Sequence, residues 1–457
     1  MIPSSTVAKA LVWLVAISSP LQYGAACAQS LGLIRDTEIE DTIRAYADPI
    51  FLAANIPPRS VTIRIIADNS LNAFVTTGNR MFLNTGTLMA ANSSAEIIGV
   101  IAHETGHLVG GHTVTFSDQM ETALRTTLLT TLLGVAAGVA TGNADLGMAV
   151  ALGGQGTAQR QVLAFSRGQE SSADQFALKA LDETEQSAEG LYKFFERISG
   201  QELLITDRQD PYVRTHPLTR NRMTSIRAHI DQSPYSAASP NEGLEERHRR
   251  AVAKLYSFLK PQKSTLKKYP KTDTSLPARY ARSVAYYRRG RLDLSVPLID
   301  GLIEERPDDP YFWELKGQML LENGRIPEAI VAYKEATRLL PLAPLILVAQ
   351  AHAMVEADDP AFTNDTQNAL RLALQVDPND VFAWGLSAKS YAIDNQPGMS
   401  AYAAAERALL MRQFGEVVRY TRKAEEILPT GTPVWLRLQD LKAVARNYME
   451  DQRQRRR

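Results

Sequence analysis

The 457-residue sequence has little cysteine and no excess of charge of either sign. Its single cysteine, Cys27, cannot form a disulfide within the chain. Lysine plus arginine and aspartate plus glutamate each number 50, so no global field favours nucleic acid or an acidic membrane surface. After the N-terminal segment, no run reaches the roughly 18 apolar residues that a membrane-spanning helix needs. The apolar content of 45% is ordinary for a globular protein.

The N-terminus has the layout of a secretory signal peptide. A basic residue precedes the apolar run 10–17, and Ala26-Cys27-Ala28 offers a cleavage site of the A-x-A type. We therefore predict a signal peptide at residues 1–28 and an exported mature chain. Alternatively, Cys27 carries a lipid anchor, but Gly24 stands where a lipoprotein signal usually has a leucine-like residue.

The motif that dominates the chain is His103-Glu104-Thr105-Gly106-His107, which has the pattern H-E-x-x-H in an apolar segment. On a helix, His103 and His107 share one face, so both imidazoles can bind the same zinc ion. Glu104 is offset by one residue and can reach the catalytic water without binding the metal. The weaker interpretation is two surface histidines beside a solvated glutamate. With only seven histidines in the chain, a chance match is rare.

A catalytic zinc site needs a third protein ligand and keeps one position for water. His112 is five residues beyond His107, roughly 140° around a helix, and we reject it as a ligand because it should point elsewhere. A histidine at this position is expected either to support the site indirectly or to be exposed. Glu170 and Asp174 lie at i and i+4 on a second predicted helix. Glu170 can supply an oxygen to zinc, and Asp174 can accept the second N–H of a ligating histidine. An isolated pair of this kind is usually a solvated helix face, so the assignment depends on the H-E-x-x-H motif.

Two further candidates follow the predicted helices. His216 precedes Pro217 in a loop, and Arg222 comes six residues later. A histidine near the open zinc position could stabilise the oxyanion of the reaction, or it could occupy the water position and keep the enzyme shut. The alternative is a histidine satisfied by local packing. The sequence leaves these roles open.

Upstream of the motif, patterning predicts a small sheet. Residues 61–66 alternate like a strand, and the runs 72–76 and 80–84 flank a short glycine-containing loop, as in a hairpin. Ser93 and Glu96 form a Ser-x-x-Glu capping box at the start of the histidine-bearing helix. This half is expected to be a mainly helical α+β domain with a small antiparallel sheet.

Together, His103-Glu104-x-x-His107 and Glu170-x-x-Ala173-Asp174 resemble the M48 family of zinc metallopeptidases. Three further segments also match the family: Asn72-Ala73-Phe74-Val75, 82–86 and Thr215-His216-Pro217. We therefore predict a peptidase domain at residues 29–232.

The resemblance implies a gluzincin-type fold in which His103, His107 and Glu170 bind one Zn²⁺ ion and Glu104 is the general base and acid. It also implies that a strand beside the site pairs with an extended substrate, which binds peptides with little sequence preference. The candidate strands are 72–75 and 81–84, and the sequence does not decide between them.

Two apolar segments lie between the two halves of the site, within residues 125–155. Each is too short for a lone transmembrane helix. They fit a buried helical hairpin, or alternatively a mobile lid that makes peripheral contact with lipid.

From about residue 276 the sequence becomes periodic. Gly290 recurs as Gly324 and Pro307 as Pro341, in each case after 34 residues, which is the period of tetratricopeptide repeats. We predict an all-α repeat solenoid at 276–457, joined to the peptidase domain by a linker and connecting helix at 233–275. The concave face of such a solenoid binds peptides or proteins.

The expectation for the whole chain is a periplasmic zinc endopeptidase. Its resemblance implies that it acts on unfolded or misassembled envelope proteins, and that its repeats recruit substrate or the outer-membrane assembly machinery. No nucleic-acid partner is expected. The competing interpretation is a chaperone or adaptor with a dormant peptidase site.

Overall fold

The computed structural model describes residues 32–112, 131, 133, 166–199 and 211–455. The predicted signal peptide, and all of the apolar segment 125–155 apart from two residues, lie outside the described part. Among the described residues, no helix combines the length and the apolar character needed to cross a membrane.

The N-terminal half combines a small sheet with helices. Its strands are β1 (Leu33–Ile34), β2 (Thr62–Ile66), β3 (Ala73–Thr76) and β4 (Arg80–Asn84). Its helices are α1 (Thr37–Ala53), α2 (Thr85–Ala90), α3 (Ser94–Val109), α4 (166–183), α5 (Glu189–Ser199), α6 (Pro211–Thr215), α7 (Arg220–Ile230) and α8 (Glu242–Leu259).

The sheet is mixed, which corrects the expected antiparallel arrangement. Its order is β1-β2-β4-β3; β1 and β3 pair antiparallel with their neighbours, but β2 and β4 are parallel. The chain reverses direction between β2 and β3 and again in the hairpin, so β4 runs in the same direction as β2. Alternation predicts that a strand exists, whereas the choice of its neighbour depends on long-range packing.

The metal-motif helix α3 lies in the centre of this half. The core around it contains buried apolar side chains from the sheet, α1 and α3: Ile43, Tyr46, Phe51, Ile65, Met81, Leu83, Ile97 and Ile101. Two glycines of α3 allow other helices to approach closely. A Cβ on Gly106 would lie 2.8 Å from the backbone of Ala173 in α4, and one on Gly99 would lie 2.7 Å from Leu191 in α5.

Helix α3 begins where the sequence indicates, but the capping box does not form. Ser93 is the N-cap residue, and its side chain makes no capping hydrogen bond to a described residue. Glu96 instead accepts hydrogen bonds from the Arg197 guanidinium at 2.7 Å and from the Asn92 N–H at 3.3 Å. The arginine outcompetes the local cap because its charged guanidinium satisfies the buried Glu96 carboxylate.

In the C-terminal half, every regular secondary-structure element among the described residues is a helix. Helix α9 (Gln262–Lys268) leads into five consecutive helix pairs: α10 (Leu276–Tyr287) with α11 (Leu292–Glu305), α12 (Pro310–Leu321) with α13 (Ile326–Leu339), α14 (Pro344–Glu356) with α15 (Thr363–Val376), α16 (Val381–Ile393) with α17 (Pro397–Leu410), and α18 (Phe414–Glu425) with α19 (Pro433–Arg455). Gly290 and Gly324 have φ values of 68° and 75° in the turns of the first two pairs. The predicted fold class, mainly helical α+β followed by an all-α repeat region, is confirmed.

Helix α8 connects the two halves through buried ion pairs. Arg250 lies 2.8 Å from Glu38 of α1 and 2.5 Å from Asp309, the residue before α12. Lys254 lies 2.7 Å from Asp36, the N-cap of α1. Breaking a buried pair on one side leaves an uncompensated charge, so this network opposes separation of the halves.

Candidate metal centre

Four buried side chains converge on one point in the N-terminal half. His103 and His107 come from α3, Glu170 from α4, and His216 from the turn after α6. Each offers one ligand atom, and all four atoms lie within 4.8 Å of one another. The structure therefore brings together the three predicted ligands and the candidate histidine.

The distances within this cluster match the coordination shell of zinc. The Nε2 atoms of His103 and His107 are 3.1 Å apart, and oxygens of Glu170 lie 3.4 Å from each of them. Nδ1 of His216 lies 3.2 Å from both oxygens of Glu170 and 3.3 Å from Nε2 of His103. Tetrahedral ligands bonded to zinc at ~2.0–2.1 Å are about 3.3 Å apart. The residues present fit the metal.

Glu104 lies beside the cluster and is almost completely buried. Neither carboxylate oxygen has a hydrogen-bond partner among the described residues, and Oε1 is 3.5 Å from Nε2 of His216. Burial raises the pKa of the Glu104 carboxyl. Buried polar atoms normally have partners, so these oxygens indicate a group that completes the site, such as water.

Asp174 and Arg222 support the cluster from behind. Oδ1 of Asp174 lies 2.9 Å from Nδ1 of His103, and the Arg222 guanidinium donates to both oxygens of Asp174. Burial opposes ionisation of Asp174, but the hydrogen bonds from Arg222 and His103 outweigh it and lower the pKa of this carboxyl. For His103, the hydrogen bonds with Asp174 and Glu170 outweigh burial and raise the pKa to about 9. The imidazole is thus oriented by a carboxylate that stays charged.

Comparison with known proteins agrees with this geometry. Residues 34–230 match peptidase family M48, and residues 280–344 match a tetratricopeptide repeat. The chain contains an M48 peptidase domain. With its buried histidine and glutamate cluster, it is a metallopeptidase.

Three curated relatives match this chain over most of its length. A putative beta-barrel assembly-enhancing protease of Vibrio cholerae serotype O1 is 23% identical over 426 residues, which are 91% of this chain and 86% of the relative. The beta-barrel assembly-enhancing protease of Yersinia pestis is 22% identical over 394 residues, 85% of this chain and 79% of the relative. That of Escherichia coli K12 is 20% identical over 408 residues, 88% and 82% of the respective chains.

His112 of the M48 domain does not point away from the site, which corrects the sequence-based argument. That argument assumed a continuing helix, but α3 ends at Val109 and Gly111 has a φ of 60°. The chain folds back, and Nδ1 of His112 lies 2.9 Å from Nδ1 of His107. His112 does not belong to the metal-binding cluster found among the described residues.

Tyr212 is a site residue that sequence reasoning missed. Its buried ring lies 4.6 Å from the ring of His216, and its hydroxyl has no hydrogen-bond partner among the described residues. Its backbone N–H donates to the carbonyl of Leu71 at 3.2 Å, just before β3. The four-residue spacing between Tyr212 and His216 was the available signal.

The M48 sheet offers one of the two candidate strands as an edge. Among the described residues, β3 pairs only with β4, whereas β4 lies between β2 and β3. The run 81–84 is therefore interior to the sheet. Strand β3 contains Ala73, Phe74 and Val75, with Asn72 just before it, and it packs against α3. The pairing of substrate with this strand stays a prediction.

Proposed function

We propose that this chain is a zinc endopeptidase of the bacterial envelope that hydrolyses unfolded or misassembled outer-membrane proteins. The observation that carries the proposal is the buried arrangement of His103, His107 and Glu170 beside the Glu104 carboxylate, which has no hydrogen-bond partner among the described residues. The envelope role is supported by the relatives, which are named beta-barrel assembly-enhancing proteases.

In this proposal, His103, His107 and Glu170 hold the zinc. When bound there, zinc supplies Lewis-acid chemistry that activates water and polarises a scissile carbonyl. Glu104 accepts the proton of the attacking water and returns it to the leaving amine. Its raised pKa suits both steps, because an effective base must also be able to give the proton back. Asp174, held by Arg222, keeps Nδ1 of His103 protonated and its Nε2 directed at the metal.

His216 closes this site at rest. Its Nδ1 lies 3.2 Å from Glu170 and 3.3 Å from Nε2 of His103, so it would occupy the position that a catalytic zinc site needs for water. Hydrolysis therefore requires His216 to move. The segment that carries it is linked to the start of β3 by the Tyr212–Leu71 hydrogen bond, so a peptide that pairs with β3 is positioned to disturb it.

The access of substrate depends on the edge strand and the repeats. Main-chain pairing at β3 binds an extended chain with little side-chain preference. The helical repeats are held against the M48 domain by Arg250, which pairs with Glu38 and with Asp309. They supply a protein-binding surface that selects envelope substrates or the outer-membrane assembly machinery.

Two measurements on the purified mature chain test whether it is a zinc hydrolase: its metal content and the rate at which it hydrolyses protein substrates. We expect one zinc per chain and slow hydrolysis of casein and of an unfolded outer-membrane protein. Glu104→Gln should keep the zinc and lose about 10²–10⁴-fold in rate, the usual contribution of a general base. His352→Ala, in the repeats, is the matched control and should behave as wild type. A metal-free wild type, or an active Glu104→Gln variant, would refute the proposal.

A separate variant tests the closed state. His216→Ala should hydrolyse casein faster than wild type while retaining zinc, because the fourth position becomes open to water. A loss of rate with zinc retained would instead assign His216 to the oxyanion. An unchanged rate and unchanged zinc affinity would exclude both roles.

The second candidate function is a chaperone or adaptor with a dormant site. The position of His216 favours this second function, because a peptidase whose site is closed at rest can still bind proteins without cleaving them. Complementation of a deletion strain by Glu104→Gln discriminates the two. Full complementation assigns the biological role to binding, and failure assigns it to hydrolysis.

Export is also a proposal. We expect N-terminal sequencing of the chain from the periplasm to begin at Gln29. Lipid incorporation that disappears in Cys27→Ser would show a lipid anchor in place of cleavage after Ala28.

A further inference from the structure

Besides the metal, each of the two histidines of α3 needs a hydrogen-bond acceptor for its second ring nitrogen. When an imidazole binds a metal through Nε2, its Nδ1 carries a proton that must be donated to an acceptor. For His103 this acceptor is the carboxylate of Asp174, 2.9 Å away. His107 therefore requires an equivalent acceptor, and nothing in the sequence pattern assigned one.

The structure places a second imidazole at that point. Nδ1 of His112 lies 2.9 Å from Nδ1 of His107, and the two rings are edge to face with centroids 4.9 Å apart. Two Nδ1 atoms at this distance share one proton, so one donates and the other accepts. If His107 binds zinc, His107 must be the donor, and His112 accepts with its own proton on Nε2.

We propose that His112 is the positioning residue of the metal ligand His107, the neutral counterpart of Asp174 at His103. It holds His107 in the tautomer and ring orientation that direct Nε2 to the metal. The inference rests on the proposed zinc site, and it extends that site to a residue outside the H-E-x-x-H helix.

The local chain is built to bring His112 to this position. A Cβ on Gly110 would lie 2.2 Å from Nε2 of His112, so a side chain there would displace the ring. Gly111 has a φ of 60°, in the left-handed region that favours glycine. These two glycines fold the chain back immediately after α3.

A further contact fixes the backbone of His112 to the second ligand helix. The side-chain amide of Gln169 donates to the carbonyl of His112 at 3.3 Å, and Gln169 precedes the ligand Glu170. The positioning of His107 is thus tied to the placement of α4. A substitution at His112 should therefore weaken metal binding more than it destabilises the fold.

Because the acceptor, His112, is a neutral imidazole, it adds no charge to the metal centre. Asp174 already supplies one buried carboxylate, which Arg222 compensates. A second carboxylate behind His107 would add another buried negative charge to the centre, and burying a charge carries a desolvation penalty. An imidazole accepts the proton without that penalty.

The test measures zinc affinity by chelator competition in the full-length mature chain. His112→Asn places an amide oxygen near the position of Nδ1, whereas His112→Leu keeps the volume but offers no acceptor. We expect His112→Leu to bind zinc 10–100-fold more weakly, the usual effect of removing such a partner, and His112→Asn to remain within about threefold of wild type. Gly110→Ala should resemble His112→Leu although every ligand and His112 are intact. His352→Leu is the control.

Two readouts separate positioning from a structural role. The visible absorption bands of the Co²⁺-substituted protein should shift in His112→Leu and not in His112→Asn, while thermal unfolding of the metal-free proteins stays unchanged. Equal zinc affinity in all variants, or equal loss in His112→Asn and His112→Leu, would overturn the inference. If the wild type binds no zinc, the proposed function fails. If it binds zinc and His112→Leu binds it equally well, only the inference fails.

Discussion

Arg222 donates two hydrogen bonds to the carboxylate of Asp174, from Nε at 2.6 Å and from a terminal nitrogen at 2.8 Å, and both side chains are buried. The same guanidinium donates to the carbonyl of Pro217 at 2.8 Å and lies over the ring of Phe195. It therefore ties α7, α4 and the turn that carries His216 into one unit.

The first prediction concerns the stability that this arginine provides. Arg222→Ala should lower the free energy of unfolding by about 3–5 kcal/mol, because Asp174 stays buried, loses both hydrogen bonds from the guanidinium and keeps only its contact with His103. Arg222→Lys should lose less, since a lysine keeps the charge but not the two-pronged geometry. Chemical denaturation of the metal-free protein measures both. Arg227→Ala on the same helix is the control; Arg227 is half exposed beside Glu189 and should cost under about 1 kcal/mol. Equal effects at the two positions would contradict the prediction.

The second prediction is a pH dependence that originates between the two halves. Glu314 of α12 accepts a hydrogen bond from Thr37 at 3.2 Å, and its other oxygen is buried without a partner among the described residues. Burial, together with the nearby carboxylates of Asp36 and Glu38, outweighs the attraction of Lys254 and raises the pKa of Glu314 to about 8.

The sign of this dependence follows from proton binding. The unfolded chain releases the Glu314 proton near pH 4.5, whereas the folded chain keeps it to about pH 8. Between these values the folded state binds more protons, so stability falls as pH rises, by up to about 1.4 kcal/mol per pH unit. Glu314→Gln should remove this fall when denaturation is measured from pH 5 to 8. The exposed Glu304→Gln should retain it. Parallel curves for wild type and Glu314→Gln would refute the assignment.

The third prediction concerns the contact between the two ligand helices. Because a Cβ on Gly106 would meet the backbone of Ala173 at 2.8 Å, Gly106→Ala should push α3 and α4 apart. We expect a loss of about 1–3 kcal/mol in unfolding free energy and weaker zinc binding, since Glu170 moves with α4. Gly168→Ala is the control because a Cβ there meets no atom of the described residues within 4 Å. If the two alanine variants bind zinc equally well, the helix contact does not set the ligand geometry.

The fourth prediction concerns the edge of the sheet. The carbonyl of Asn72 accepts the N–H of Asn84, so the main chain of Asn72 faces β4. Along a strand the direction alternates, which turns the main-chain groups of Ala73 and Val75 away from β4. A substrate that pairs there must offer every second N–H to the enzyme.

Backbone methylation of the substrate tests this pairing without changing the protein. Two versions of one extended peptide substrate carry N-methyl groups at alternate positions, the odd residues in one and the even residues in the other. We expect KM to rise about tenfold or more for one version, which loses one or more hydrogen bonds of roughly 0.5–1.5 kcal/mol each. The other should resemble the unmethylated peptide. Equal KM values for both would exclude strand pairing at the site.

Local patterns predicted most of the elements that carry the chemistry. The i, i+4 spacing places His103 with His107 and Glu170 with Asp174 on single helix faces, and this depends only on helical geometry. The hairpin at 73–84 and the repeat period of 34 residues are likewise short-range signals, and the structure contains both features.

Other features depended on where chain segments meet. Ser93 and Glu96 have the spacing of a capping box, yet Glu96 pairs with Arg197 about a hundred residues later. The expectation that His112 points away from the site was wrong, because Gly110 and Gly111 end α3 before the chain reaches His112. The neighbours of β4 could not be read from its alternation, because strand order follows from packing over the whole domain.

The sequence by itself determined the metal chemistry, because two imidazoles, a carboxylate base and a further carboxylate at helical spacings leave few other uses for those residues. Only the tertiary structure decided which groups surround that chemistry. It placed His216 in the fourth corner of the cluster, His112 behind His107, and β3 rather than β4 at the edge of the sheet. These contacts join residues from separate elements or cross a helix end, and no periodicity within one element records them.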